Sequence, residues 1–321
     1  MGRSKKLKAA LKNQQSRLKV KEKAEKAASD VANRKRGPPG GNSKNKRSNL
    51  PAPLRRTVPF NSADRILLIG EGNFSYAIAL LRDPPPELAP LVPVNVVATA
   101  YDTEDECYAK YPDSAQKNVS ELRERGVLVI FGVDATCLEK QASLKGRRFE
   151  RIVWNFPHAG KGIADQDRNI LSNQVLLLDF FRSAAPFLVT GPIPVIGVLR
   201  KMRKKDEDDD ENSGRSDEEP EDGSDAPKTA RGTLLVTLRN VPPYTLWLNM
   251  DRDVPRLAKN PPARTTGSRS NPSYALLRSF VFHRQMWEGY EHRMTKGERA
   301  HGTGKTGESG EDRTWEFYLK D

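Results

Sequence analysis

The chain has 321 residues, 36% of them hydrophobic and 30% charged, enough for one full globular domain alongside long segments that bury little. Its two cysteines, Cys107 and Cys137, form no CxxC pair, which argues against a structural zinc site, and no apolar run approaches the roughly 20 residues a bilayer-spanning helix needs. Net charge is +12 but uneven: residues 1–56 carry 18 Lys and Arg against three acids, residues 206–225 carry twelve acids against Arg215 alone, and the remainder is +8, so a polyanionic partner is expected and a membrane is not.

In chain order, residues 1–57 read as a basic tail too poor in apolar residues to offset its own ordering entropy. Its clusters at 34–36 and 44–47 resemble a two-part nuclear localisation signal. With no apolar signal-peptide core and with both thiols read as reduced, the expectation is a soluble, intracellular, monomeric protein. Residues 58–321 read as one domain of alternating strands and helices. "RILLIG" (65–70) is a buried strand, 74–82 a helix, and "VNVVATAYD" (94–102) a second strand. A helix follows Pro112 with Ala115, Val119 and Leu122 at helical spacing and Gly126 as its stop. "VLVIFGVD" (127–134) and "FERIVWNF" (149–156) are the third and fourth strands, and a long helix then presents Ile170, Leu177, Leu178 and Phe181 on one face. For the fifth strand both 193–202 and 232–240 qualify; the second is preferred, with 203–229 as a disordered acidic insertion between them. Two C-terminal stretches, "YALLRSFVFHRQMW" and "RTWEFYLKD", are expected to close the sheet as an antiparallel pair. The fold class is therefore α/β, doubly wound on a mainly parallel sheet, Rossmann-like, and fits a class I methyltransferase better than a dehydrogenase. Ser75 at the last position of the G-x-G-x-x-G spacing argues against the dehydrogenase as well.

Ligands of such sheets bind beyond the carboxyl ends of the strands. There the sequence places Gly70, Glu71, Gly72, Asn73, Phe74 and Ser75 after the first strand, Asp102 after the second and Asp134 after the third. Asn155, Phe156, Pro157 and His158 follow the fourth. Glycines admit close backbone approach, and a helix N-terminus offers N–H groups to a carboxylate. A strand-end Asp can accept from ribose hydroxyls, though Asp102 and Asp134 could equally be helix N-caps. No metal site is expected.

"ILLIGEGNFSYAIALL", "KYPDSAQKNVSELRERGVLVIFGVDAT", "IVWNFPHAGKG" and "VTLRNVPPYTLW" together resemble the eukaryotic large-subunit (25S) ribosomal RNA uridine-N3 methyltransferases over about residues 62–300, the acidic insertion apart. The resemblance implies S-adenosylmethionine as methyl donor, ribosomal RNA or pre-ribosomal particles as partner, and a nucleolar setting within the nucleus. It also implies that Gly70 to Ser75 and Asp102 line the methionine and ribose, that Asp134 lies beside the adenine, and that Asn155 to His158 face the methyl and the target base. Asn155 would hold the uracil edge, Phe156 or His158 would stack, His158 could act as general base and Lys161 could steady charge on a carbonyl. Two departures are Tyr76, where the family usually has Phe, and "WEGYEHRMT", which replaces a more usual Tyr-Pro-Gly-Tyr run while keeping Gly289, Tyr290, His292 and Arg293. A non-catalytic RNA-binding protein on the same fold is the alternative.

Overall fold

The computed structural model describes residues 56–160, 165–194, 230–240, 250–265, 269–293 and 310–321. The basic tail up to residue 55, Lys161, the acidic insertion and most of the alternative strand at 193–202 lie outside the described residues.

Seven strands form one sheet in the order β3-β2-β1-β4-β5-β7-β6. They are β1 (Ile66–Ile69), β2 (Val96–Thr99), β3 (Leu128–Ile130), β4 (Arg151–Asn155), β5 (Thr233–Arg239), β6 (Tyr274–Val281) and β7 (Asp312–Leu319). The first five pair in parallel; β7 runs antiparallel to both β5 and β6. This is the Rossmann-like α/β architecture of class I methyltransferases, and 232–240 supplies the fifth strand. The helices are α1 (Ser75–Arg82), α2 (Glu104–Lys110), α3 (Ala115–Glu124), α4 (Gln166–Ala184) and α5 (Met250–Lys259).

Period-2 alternation sends β1 side chains into two cores. Leu67 and Ile69 face the α4 side with Trp154, Leu177, Phe180 and Phe181, whereas Ile66 and Leu68 face α1 and α3 with Ile78, Val119 and Leu122. Both faces are covered, which is why β1 is an uninterrupted apolar run. The third strand is shorter than its sequence suggests, because Gly132 turns the chain at φ +67° and Asp134 starts a 3-10 helix over Ala135–Lys140. Helix α2 was not foreseen, although Thr103 and Glu106 form a capping box at its start.

The antiparallel edge is organised by a buried acid. Glu316 on β7 is 1% exposed; its Oε1 accepts from the Thr233 hydroxyl on β5 at 2.7 Å and its Oε2 from Arg278 Nε on β6 at 2.6 Å. One carboxylate thus ties three adjacent strands. Removing it strands a partly buried guanidinium, so Glu316→Ala should lower unfolding stability by about 3 kcal/mol or more. Urea denaturation of the two proteins measures this.

Candidate active site

A cleft of about 1090 Å³ opens at the carboxyl ends of β1, β2 and β4, at the point where β2 continues the sheet to one side of β1 and β4 to the other. Gly70, Glu71, Gly72, Asn73, Ser75, Asp102, Asp134, Asn155, Phe156 and His158 all line it. Phe74 and Pro157 do not: Phe74 is fully buried edge-on to Phe131, and Pro157 is buried as well.

The turn after β1 is built for its own neighbours as much as for a ligand. Gly70 adopts φ +65°, and a Cβ there would lie 2.7 Å from the Trp154 indole Nε1, so both backbone and space demand glycine. Gly72 has no such conformational need; a Cβ would stand 3.2 Å from the Tyr111 hydroxyl. Its carbonyl accepts the buried Cys107 thiol, and Asn118 Nδ2 donates to the Asn73 carbonyl at 2.8 Å. The Asn73 and Ser75 side chains turn to the C-terminal segment 287–293. Asn73 Nδ2 donates to the Glu291 carboxylate at 3.1 Å, and the Ser75 hydroxyl donates to the Glu291 carbonyl at 3.1 Å and accepts its N–H at 3.0 Å.

The N-terminus of α1 is not open to a ligand carboxylate, contrary to expectation. Asn73 Oδ1 takes the Ser75 N–H, and the Glu71 carboxylate takes the Ala77 N–H at 3.2 Å. Enclosure raises the Glu71 carboxyl to about 7, with the Ala77 amide pulling the other way, although part of the residue still borders the cleft.

Asp102 is ion-paired with Lys110. Asp134 is the N-cap of the 3-10 helix, its Oδ1 accepting both the N–H and hydroxyl of Thr136. After β4, Phe156 is forced to φ +54°; its ring stands 4.3 Å from that of His292, at 63°, and under the Arg284 guanidinium. Asn173 of α4 accepts the Ala159 N–H and holds this turn from behind. The Asn155 Oδ1 is buried with no hydrogen-bond partner among the described residues. His158 Nδ1 accepts the Gly160 N–H at 2.7 Å, which places the proton of the neutral ring on Nε2 and engages the lone pair a general base would use. Lys161 lies outside the described residues.

Sequence reasoning missed the far wall. Tyr290, Glu291, His292 and Arg293 line the cleft, and burial together with Arg284 and Arg239 pushes the His292 imidazole down to about 4. The signal was the Gly-Tyr-x-His-Arg run retained at 289–293. Along α4, Arg168, Leu171, Ser172, Val175, Leu176 and Asp179 form the side wall at helical spacing.

A family model described as rRNA (uridine-N3-)-methyltransferase BTM5-like matches residues 67–294, which contain both strand-end motifs and the His292 wall. The chain belongs to this BMT5-like family. It is 26% identical over 283 residues to the 25S rRNA (uridine(2634)-N(3))-methyltransferase of Saccharomyces cerevisiae, covering 82% of this chain and 74% of that protein. Shorter matches are to the ferredoxin-fold anticodon-binding domain-containing protein 1 homolog of Mus musculus, 39% identical over 124 residues, and the heavy metal-associated isoprenylated plant protein 41 of Arabidopsis thaliana, 35% over 132. These span 39% and 40% of this chain but only 18% and 24% of those proteins. In this BMT5-like chain no helix among the described residues is long and apolar enough to cross a membrane.

The raised Glu71 carboxyl gives a stability test. The folded state holds its proton up to about pH 7, the unfolded chain only to about 4.5. Its contribution is therefore fully present below 4.5 and is lost as pH rises through 7. Glu71→Gln, which cannot ionise, should be more stable than the parent at about pH 8, by up to about 3 kcal/mol, and lose most of that advantage near pH 5. Paired thermal melts without ligand measure it.

Proposed function

We propose that this chain is an S-adenosylmethionine-dependent ribosomal RNA methyltransferase acting on N3 of a uridine in large-subunit RNA, in the nucleolus. The observation that carries the choice of base is Asn155, which lines the cleft at the end of β4 and whose Oδ1 is buried with no hydrogen-bond partner among the described residues. An unmet buried acceptor costs about 1–3 kcal/mol and calls for a donor. The imide N3–H of uracil is such a donor, whereas N3 of cytosine is an acceptor and would face it unfavourably.

The cleft also suits the methyl donor. S-adenosylmethionine carries a sulfonium and an ammonium against one carboxylate, and Glu71, Asp102, Asp134 and Asp179 line the walls. The volume exceeds that of an ordinary small-ligand pocket, leaving room for a nucleobase beside the donor. Glu71 would face the cationic portion and Asp102, fixed by Lys110, the ribose hydroxyls. The bound donor supplies an electrophilic methyl. The chain's own residues must then accept an unstacked base, orient its imide edge and exclude water. Asn155 holds the edge, Phe156 offers a ring, and the Nε2–H of His158 would donate to a uracil carbonyl. Methyl transfer to N3 would break the donor's methyl–sulfur bond and release the imide proton to solvent water.

Binding of the donor should therefore strengthen as pH rises from about 5.5 to 7.5 with net proton release, because a cation beside Glu71 lowers a carboxyl that is otherwise near 7. Asp102→Ala should weaken binding about tenfold to a hundredfold through lost charged hydrogen bonds. Calorimetry in buffers of different ionisation enthalpy reads both. For the reaction, mass spectrometry of ribosomal RNA nucleosides should show 3-methyluridine in cells carrying the protein and a deficit in cells lacking it. Wild type should restore the nucleoside and Asn155→Ala should not; an unchanged nucleoside content on deletion defeats the assignment.

A further inference from the structure

The far wall of the cleft is held in place by the cofactor-side turn. Ser75 bonds both backbone groups of Glu291, and Asn73 bonds its carboxylate. The Trp287 and Tyr290 rings pack on Tyr76 at 5.3 and 5.4 Å. The residue after Glu291 is thereby fixed, and its ring meets that of Phe156 at 4.3 Å. His292 thus shares a wall with the turn that carries Asn155, while arriving from a segment more than a hundred residues later in the chain.

Its electrostatic setting is unusual for a histidine. The imidazole is held neutral at physiological pH by burial and by the positive charges of Arg284 and Arg239. Arg284 is itself paired with Asp312 on β7 and lies over the Phe156 ring. A histidine in this state is a poor proton acceptor, but it keeps one N–H that can donate without surrendering its proton, and two guanidinium groups supply positive potential around it.

Uridine-N3 methylation creates a need that such a group meets. As the imide proton leaves, negative charge spreads from N3 onto the two flanking carbonyl oxygens, and fixed donors at those oxygens lower the barrier most when already in place. Asn155 is matched to the N3–H itself, so the flanking carbonyls require other donors. We propose that His292 is a base-contacting catalytic residue that donates its N–H to a carbonyl oxygen of the target uracil and, backed by Arg284 and Arg239, stabilises the imidate charge. This rests on the reading of the acceptor as uridine.

The test uses the full chain, labelled S-adenosylmethionine and large-subunit RNA isolated from cells lacking the protein. Single-turnover formation of 3-methyluridine is followed for wild type, His292→Ala and His292→Asn, with calorimetry and thermal melts confirming donor binding and folding. His292→Ala should react about 100-fold more slowly with donor affinity changed less than about twofold. His292→Asn, whose amide can donate to the same oxygen, should recover at least about tenfold of that loss. A near-wild-type rate in the alanine variant, or equal losses in the two variants, overturns the role of His292 while the proposed function stands on the activity of the wild type. Absence of 3-methyluridine with the wild-type protein overturns both.

Discussion

The cleft depends on two residues bent against their own preference. Phe74 and Phe156, at the ends of the adjacent strands β1 and β4, are the non-glycine residues at positive φ among those described. A left-handed conformation costs an L-residue with a Cβ about 1–2 kcal/mol. Full burial of the Phe74 ring is worth about 1.5–3 kcal/mol, enough to offset this. Phe156 is only half-buried and is held instead by the rings of Phe282 and His292 and by the Arg284 guanidinium. Glu71 and Asn155, each close to one of these bends, line the same cleft. The second bend is also secured by the C-terminal segment, so the geometry at the end of β4 is completed only when that segment is in place.

The sheet was legible because burial on both faces writes itself into β1, β2 and β4 as apolar runs, and because strand–helix alternation leaves few topologies. The site was legible as far as the strand ends reached. Its polar residues, down to Asp134 and His158, were found because ligands of parallel sheets gather there. What those residues do was less readable. Glu71 caps a helix, Asn73 and Ser75 bind the C-terminal segment, Asp134 caps a 3-10 helix, and Phe74 is core. Each has the residue type of a ligand contact, and a spacing rule cannot separate such a contact from a hydrogen bond to a segment two hundred residues away. His292 was harder still, because it sits on no strand end and its lowered pKa comes from burial and then from Arg284 and Arg239, which belong to other stretches of chain.

The charge of the cleft is mixed in an ordered way. Behind β1, β2 and β3 stand Glu71, Asp102 paired with Lys110, and Asp134, whereas the C-terminal segment brings Arg293 paired with Glu291.

Glu71 has a consequence for which ligands this fold can refuse. In dinucleotide-binding relatives of the sheet, the helix after β1 points its free amides at a pyrophosphate. Here the Ala77 amide is bonded to the Glu71 carboxylate and the Ser75 amide to Asn73 Oδ1. A phosphate brought to the same spot would lose the amides and meet a group that becomes anionic above neutrality. The turn thus fills with its own side chains the place where such relatives present amides to a phosphate.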